Sequence, residues 1–470
     1  MDDSKPIQLF GLDQQGKSAV VTAQRHLNLY AEIKQEQEKS TVVFYGTPGL
    51  TLFTSGLGDT PVRGWISTGT VFYVVHRNTF YEVNNAGTLT SRGTLTTSTG
   101  RVDLAYDGAV ILVVDGTTGY TYTVASTTFA EIADNDFPDG ANTCDWLDGQ
   151  FIVDNDDDSD LFYISPTGTG WDATDFAAAE SAPDGLRRVF VDHGEILLFG
   201  TATVEPWGNI GATDFPFSPI KGSIMQVGLA ARWSVAKFND GVAFLGKSPQ
   251  GKLQVYFLQG YQPQPISSQE MDSIINGYTT TSDATGYSEM VGGHPFFRLN
   301  FPTEGKSWLY DATTGLWTPT EYGLEGARHR GEMSLDFLGK TLVADYSNGN
   351  IYESDPDVYT DNGEYIAREL IGRHIFRGND RITIDSLFVD FETGVGLSSG
   401  QGSDPQVMLS ISKDGGRTWG TELWAALGMI GKFLTRLEWR RLGIGRDWTF
   451  KLRVTDPVKC AITYAAIRAR

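Results

Sequence analysis

The sequence predicts an all-β protein: a β-propeller of six or seven blades followed by a small β-sandwich-like C-terminal domain. Three observations carry this. Among 470 residues, 12% are aromatic and 54 are Gly, a usage suited to many short strands joined by tight turns. A Gly followed by a short apolar run, a polar turn and a second apolar or aromatic run recurs seven times, with Gly at 69, 108, 149, 194, 241, 293 and 339. Successive gaps of 39, 41, 45, 47, 52 and 46 residues suit one hairpin mark per four-stranded blade, which takes ~40–50 residues. A single β-sandwich rarely holds seven hairpins at one period.

Taken in order, residues 1–40 form an N-terminal arm, 41–360 the propeller and 361–470 the C-terminal domain. Within residues 23–34, Leu27-Asn28-Leu29-Tyr30-Ala31-Glu32 reads as a short strand or a helical turn. Pro48-Gly49-Leu50-Thr51-Leu52-Phe53 reads as a turn entering a strand, and a segment before the first blade can close the ring by pairing with the last one. After Tyr365 the pattern changes. Ile382, Ile384, Leu387, Val389 and Phe391 alternate with polar residues as in a half-buried strand. Further strands are expected over 407–412, 449–454 and 461–467, with a short helix within 422–432.

Charge separates the two parts. The chain carries 37 Lys and Arg against 58 Asp and Glu, a net charge of −21. Residues 361–470 hold 16 basic and 13 acidic side chains, so the preceding 360 carry −24. This argues against a groove that grips a phosphate backbone, though not against a channel through which nucleic acid slides. Two Cys exclude a disulfide framework and a four-thiolate zinc site. The first ten residues lack the pattern of a secretory signal, and no stretch approaches the ~18 apolar residues of a membrane helix, so no stable membrane insertion is expected.

The sharpest local motif is Ser412-Lys413-Asp414-Gly415-Gly416-Arg417-Thr418-Trp419, which fits the Asp-box of sialidases and related propellers. Its expected role is a hairpin turn in which Asp414 accepts turn N–H groups, Gly416 permits positive φ and Trp419 tucks beneath. Asp154, Asp156 and Asp158 alternate as in a calcium loop, but the sixth and twelfth positions are Ser159 and Ser165, so a solvated turn is favoured. The six His show no pair at ligand spacing, and nucleophile-elbow and phosphate-loop patterns are missing. No catalytic, cofactor-binding or metal-binding residue is assigned.

Several stretches together resemble the packaged-DNA stabilisation proteins of short-tailed phages, also called tail hub or nozzle proteins. These are the segment around Asn28 and Glu32, the turn Glu180-Ser181-Ala182-Pro183-Asp184-Gly185 followed by Gly200 and Glu205, and the closing Leu437-Glu438-Trp439-Arg440-Arg441-Leu442-Gly443 with Phe450-Lys451-Leu452-Arg453-Val454. The Asp-box-like turn departs from that family's pattern. The resemblance implies a virion tail protein, assembled in the host cytoplasm, that forms a ring, a hexamer, below the portal and its adaptor ring. It also implies contacts with tail needle, fibre or tailspike proteins, and genomic DNA retained in the channel and then passed through it without specific binding. Two rival classes are a sialidase-like glycan hydrolase, which needs a cleft of paired carboxylates or clustered arginines, and a glycan-binding propeller, which needs aromatic sugar platforms.

Overall fold

The computed structural model describes residues 5–6, 22–34, 42–155, 159–166, 170–179, 184–213 and 215–469. Among these the propeller has seven blades. Blades one to six occupy 62–94, 103–131, 144–178, 186–219, 228–265 and 285–319 in turn, each an antiparallel sheet. Blade seven combines Gly331–Phe337, Lys340–Asp345 and Ile351–Asp355 with Gly49–Thr54 from the start of the propeller. Ile351 lies opposite Thr54 and Asp355 opposite Gly49, so the ring is closed by hydrogen bonds and blade seven has no unpaired edge there. Gly49 is required by close approach: a Cβ would stand 2.5 Å from the carbonyl oxygens of Val358 and Thr360.

The seven Gly marks fall at the turn between the first and second strand of each blade. Asp148-Gly149, His193-Gly194, Gly292-Gly293 and Leu338-Gly339 are two-residue turns with both φ positive, the geometry that matches strand twist. Blade five differs. There Asn239 and Asp240 take the positive φ values of 45° and 61°, and Gly241 follows them. The apolar runs after these turns are continuous because each blade packs on a neighbour at both faces, as with Tyr73, Phe80, Tyr120 and Tyr122 between blades one and two.

The C-terminal domain is a sandwich of two sheets. One runs Leu29–Ile33, Val42–Gly46, Ala461–Ala469, Ile382–Phe391, Leu437–Gly445; the other runs Arg25–Leu27, Arg368–Ile371, Asp447–Val454, Gln406–Ser412, Leu423–Ala426. Phe44, Leu387, Val389, Trp448, Phe450 and Ile462 share its core. The step of three from Ile384 to Leu387 is a β-bulge, which restores the alternation one residue later. Residues 25–46, read from the sequence as arm and propeller entry, thus supply three strands to the sandwich. Residues 23–34 form two strands, broken at Asn28 with φ 52°. The expected helix within 422–432 is instead the strand Leu423–Ala426 followed by turns, because its backbone pairs with Gln406–Ser412 from Leu409 to Gln406.

Candidate functional site

Three regions bring functional side chains together: the propeller axis, the junction of propeller and sandwich, and the outer surfaces of each.

The axis is crossed by side chains. Trp233 lies on the one-turn helix Arg232–Ser234, which interrupts the inner edge of blade five. The guanidinium carbons of Arg101 and Arg188 sit 5.6 and 5.0 Å from its ring centre. Arg188 of blade four pairs with Asp103 of blade two at 3.5 Å, and Arg101, entering blade two, pairs with Glu332 of blade seven at 3.5 Å. Each pair skips an intervening blade, which only a contact across the ring can do. Burial raises the Asp103 carboxyl, and Arg188 opposes that rise.

At the junction, Asn28 is the keystone. Its backbone N–H donates to Pro319 O at 3.1 Å. Its side-chain amide donates to Glu321 O and Ala367 O, both at 2.9 Å, and its Oδ1 accepts from Glu321 N at 2.9 Å. Asn tolerates left-handed φ better than other side-chain-bearing residues, so one residue type serves both the bend and the bonds. Tyr30 packs edge-on against His294 and Phe296 of blade six, and burial pushes its hydroxyl up to about 12. Beneath, Glu289 and Arg298 form a 2.6 Å ion pair, and Ser354 of blade seven donates to the free oxygen of Glu289. Asp361, on the connector, is buried and its carboxyl is pushed up to about 7 by loss of solvent, against the pull of Arg368, Arg298 and Arg330.

The residues singled out in the sequence are structural turns where they can be seen. Glu180 and Pro183 lie outside the described residues. Asp184 accepts from Ala202 N at 2.7 Å and Thr203 N at 2.9 Å, and Gly185 O accepts from Thr201 N, so this turn clamps the second hairpin of blade four. Asp414 accepts from Thr418 N, Arg417 N and the hydroxyls of Ser412 and Thr418, while Gly415 and Gly416 take φ of 72° and 81°. Trp419 is half-buried against Lys451, whose Nζ is 4.8 Å from its ring centre. Lys413 Nζ instead donates to Leu442 O at 2.9 Å and Gly416 N to Ser412 Oγ at 2.8 Å, so the box bonds within itself and to its neighbouring strand.

The bonds to Asp414, the Thr418 hydroxyl first, hold its carboxyl down to about 2. The depressed value fixes the sign: the turn is fully supported above the unfolded value near 4 and loses that support as pH falls through about 2. Thr418→Val is expected to move the Asp414 titration upward; carbon-detected NMR titration of the carboxyl measures it, and an unmoved midpoint would discard this account.

Asp154 proves to be a core acceptor rather than a loop carboxylate. It is fully buried and accepts from Asn142 N, Thr143 N and Thr143 Oγ1 at 2.7–2.8 Å. Asp156 and Asp158 lie outside the described residues, and no cluster of potential metal ligands occurs among the described ones. Arg440 pairs with Glu438 on the surface, and Arg441 is exposed with φ 62°. Sequence reasoning missed the bonding of Asn28, the Arg101–Trp233–Arg188 cluster and an exposed apolar lobe at 423–434. Only the last left a local signal, a run of large apolar residues without alternation.

With this geometry described, two family matches account for almost the whole chain. Residues 5–359 match the β-propeller of bacteriophage P22 Gp10, and residues 367–470 match the β-sandwich of the same protein. The chain belongs to the P22 Gp10 family. A curated relative, the tail hub protein gp10 of Salmonella phage P22, is 26% identical over 305 residues, covering 62% of this chain and 61% of that protein. The chain thus spans about three fifths of the length of that tail hub protein. The extracellular domain of a putative one-component system from B. thetaiotaomicron aligns with a TM-score of 0.45 at 10% identity, over 80% of this chain and 47% of that one. The propeller domain of Doa1 gives 0.39 at 12%, over 65% and 96%.

Proposed function

We propose that copies of this chain form a closed ring, a hexamer, that continues the DNA channel below the portal and its adaptor, helps retain packaged DNA and passes it during ejection. The observation that carries the reading is the in-order match of both domains to a tail hub protein. The filled propeller axis adds a geometric consequence: DNA travels between copies, along the axis of the ring, not through a propeller. A rigid block with a closed blade ring is suited to repetition about such an axis. The acidic propeller keeps phosphate contacts few and DNA friction low. Needle, fibre or tailspike proteins are the expected neighbours on the far side.

Electron microscopy of the purified protein and of the parent particle tests the ring; monomers alone, with no annulus beneath the portal, would refute it. The low-friction wall has its own test. Asp→Lys changes at lumen-facing positions are expected to slow ejection, most at low salt, since each new phosphate contact adds about 0.9 to the salt slope. Ejection at the unmodified rate at every salt concentration would end that idea.

A further inference from the structure

The sandwich carries an apolar lobe that its own molecule does not cover. Leu434 is 99% exposed, Phe433 72%, Ile430 65% and Trp424 62%. Apolar clusters of this kind mark interaction sites rather than ordinary solvent-facing surface. The lobe is nevertheless held firmly in place. Leu427 is buried in the core beneath it, Gly431 N donates to Gly394 O at 3.1 Å, and the Thr393 hydroxyl donates to Phe433 O at 2.9 Å. It is presented, not loose.

Its position excludes the chain's own propeller as the cover. In both sheets the strand nearest blade six, Arg25–Leu27 or Leu29–Ile33, is one edge, and the lobe joins the opposite edges, Leu423–Ala426 and Leu437–Gly445. Four strand spacings separate the two edges, roughly 19 Å. Among the described residues none covers the lobe, and a second molecule can offer the partner surface. Charge says which. Residues 423–446 hold five Lys and Arg against one Glu, so the apolar tip has a basic flank. The matching surface is acidic at its rim and apolar at its floor, and this chain possesses one.

Two adjoining grooves of ≈ 360 and ≈ 350 Å³ run across the turns of blades four to seven, and share Asp192, His193 and Asp240. Leu258, Tyr261, Met290 and Pro295 provide the apolar part, with Met290 58% exposed; Asp240, which also meets His193, and Asp336 are acids exposed at the rim and outnumber the single exposed Lys237 there. We infer that the 423–434 lobe of one copy docks into this groove on the next copy, basic flank against acidic rim. The contact joins two different patches, so it is head-to-tail, and repeated about an axis it generates a ring. The inference rests on the ring reading above and names the surfaces that make it.

Cysteine pairing tests it. Cys144 and Cys460 are buried, so introduced thiols report alone. Full-length protein carrying Leu434→Cys with Met290→Cys, oxidised under assembly conditions, is expected to give a ladder of covalent oligomers, while neither single variant does. Leu434→Asp is expected to raise the concentration for half-assembly at least tenfold without changing the thermal midpoint. A dimer from Leu434→Cys alone would mean a two-fold contact and overturn the proposal. Rings seen by microscopy, without a ladder from the double variant, would overturn the contact while leaving the ring intact. Rings that survive Leu434→Asp but fail to attach another tail protein would assign the lobe to that protein instead. Wild-type molecules that never form rings, free or in particles, would remove both readings.

Discussion

Glu289→Ala is expected to cost about 3–5 kcal/mol, the largest single-residue effect in the protein. Glu289 and Arg298 are each 2% exposed at the side chain and meet at 2.6 Å. Arg298 also donates to the Thr320 hydroxyl at 2.8 Å, and its Nε has no partner. Removing the carboxylate takes from the buried guanidinium the one carboxylate hydrogen-bonded to it, leaving only the more remote Asp361, and it also strips the Ser354 hydroxyl of its acceptor between blades six and seven. Replacing both partners together, Glu289→Leu with Arg298→Met, is expected to recover most of the loss, because the cost lies in the orphaned charge rather than in the pair. Urea unfolding followed by tryptophan fluorescence measures both. A single variant within 1 kcal/mol of the wild type would show that water reaches Arg298 and would sink the argument.

Asn28→Ala is expected to cost about 2–4 kcal/mol, since it leaves a buried N–H and two buried carbonyls without partners and places Ala at positive φ. The effect should be local first. Asn28 ties the N-terminal strands to Glu321 after blade six and to Ala367 on the connector, so its loss should loosen sandwich from propeller before either unfolds. Limited proteolysis of residues 360–367, compared with global unfolding, separates these. Asn28→Gly keeps the backbone conformation and should fall between the two; if it matches the wild type, the side-chain bonds contribute nothing.

Features that repeat at short range were legible in the sequence. The Gly marks located seven hairpins because the turns must supply positive φ, which Gly itself does in six of them, and the apolar runs after them showed strands buried at both faces. The strand over Ile382–Phe391 reads as a plain alternation, and the bulge between Ile384 and Ser386 comes only with its pairing. Pairings between distant segments were not legible. Asn28 meets Glu321 across 293 positions, and nothing local distinguishes it from an Asn in a loop. Val42–Gly46 reads as any apolar strand until Ala461–Ala469 is placed beside it. Asp154 stood among acids that suggest solvent, yet it ends a buried strand, and direction at a strand end is set by the sheet, not by the neighbours in sequence. The Arg101–Trp233–Arg188 cluster needs four blades to exist before its members meet.

The strand that closes blade seven also orders events in time. Gly49–Thr54 leaves the ribosome long before Ile351–Asp355 exists, and at typical synthesis rates the intervening residues take roughly 15–60 s to appear. Val42–Gly46 waits longer still, for Ala461–Ala469. Ring closure therefore waits for residue 355, and the sandwich, in which Val42–Gly46 has only Leu29–Ile33 beside it until then, waits for residue 461 and beyond. A product terminated before residue 461 therefore lacks a finished sandwich to offer its neighbours, which ties particle assembly to synthesis of both partners of that strand pair. Ribosome-bound chains stalled before residue 351 should accordingly be cut by protease within 42–54, and full protection there would disprove this ordering.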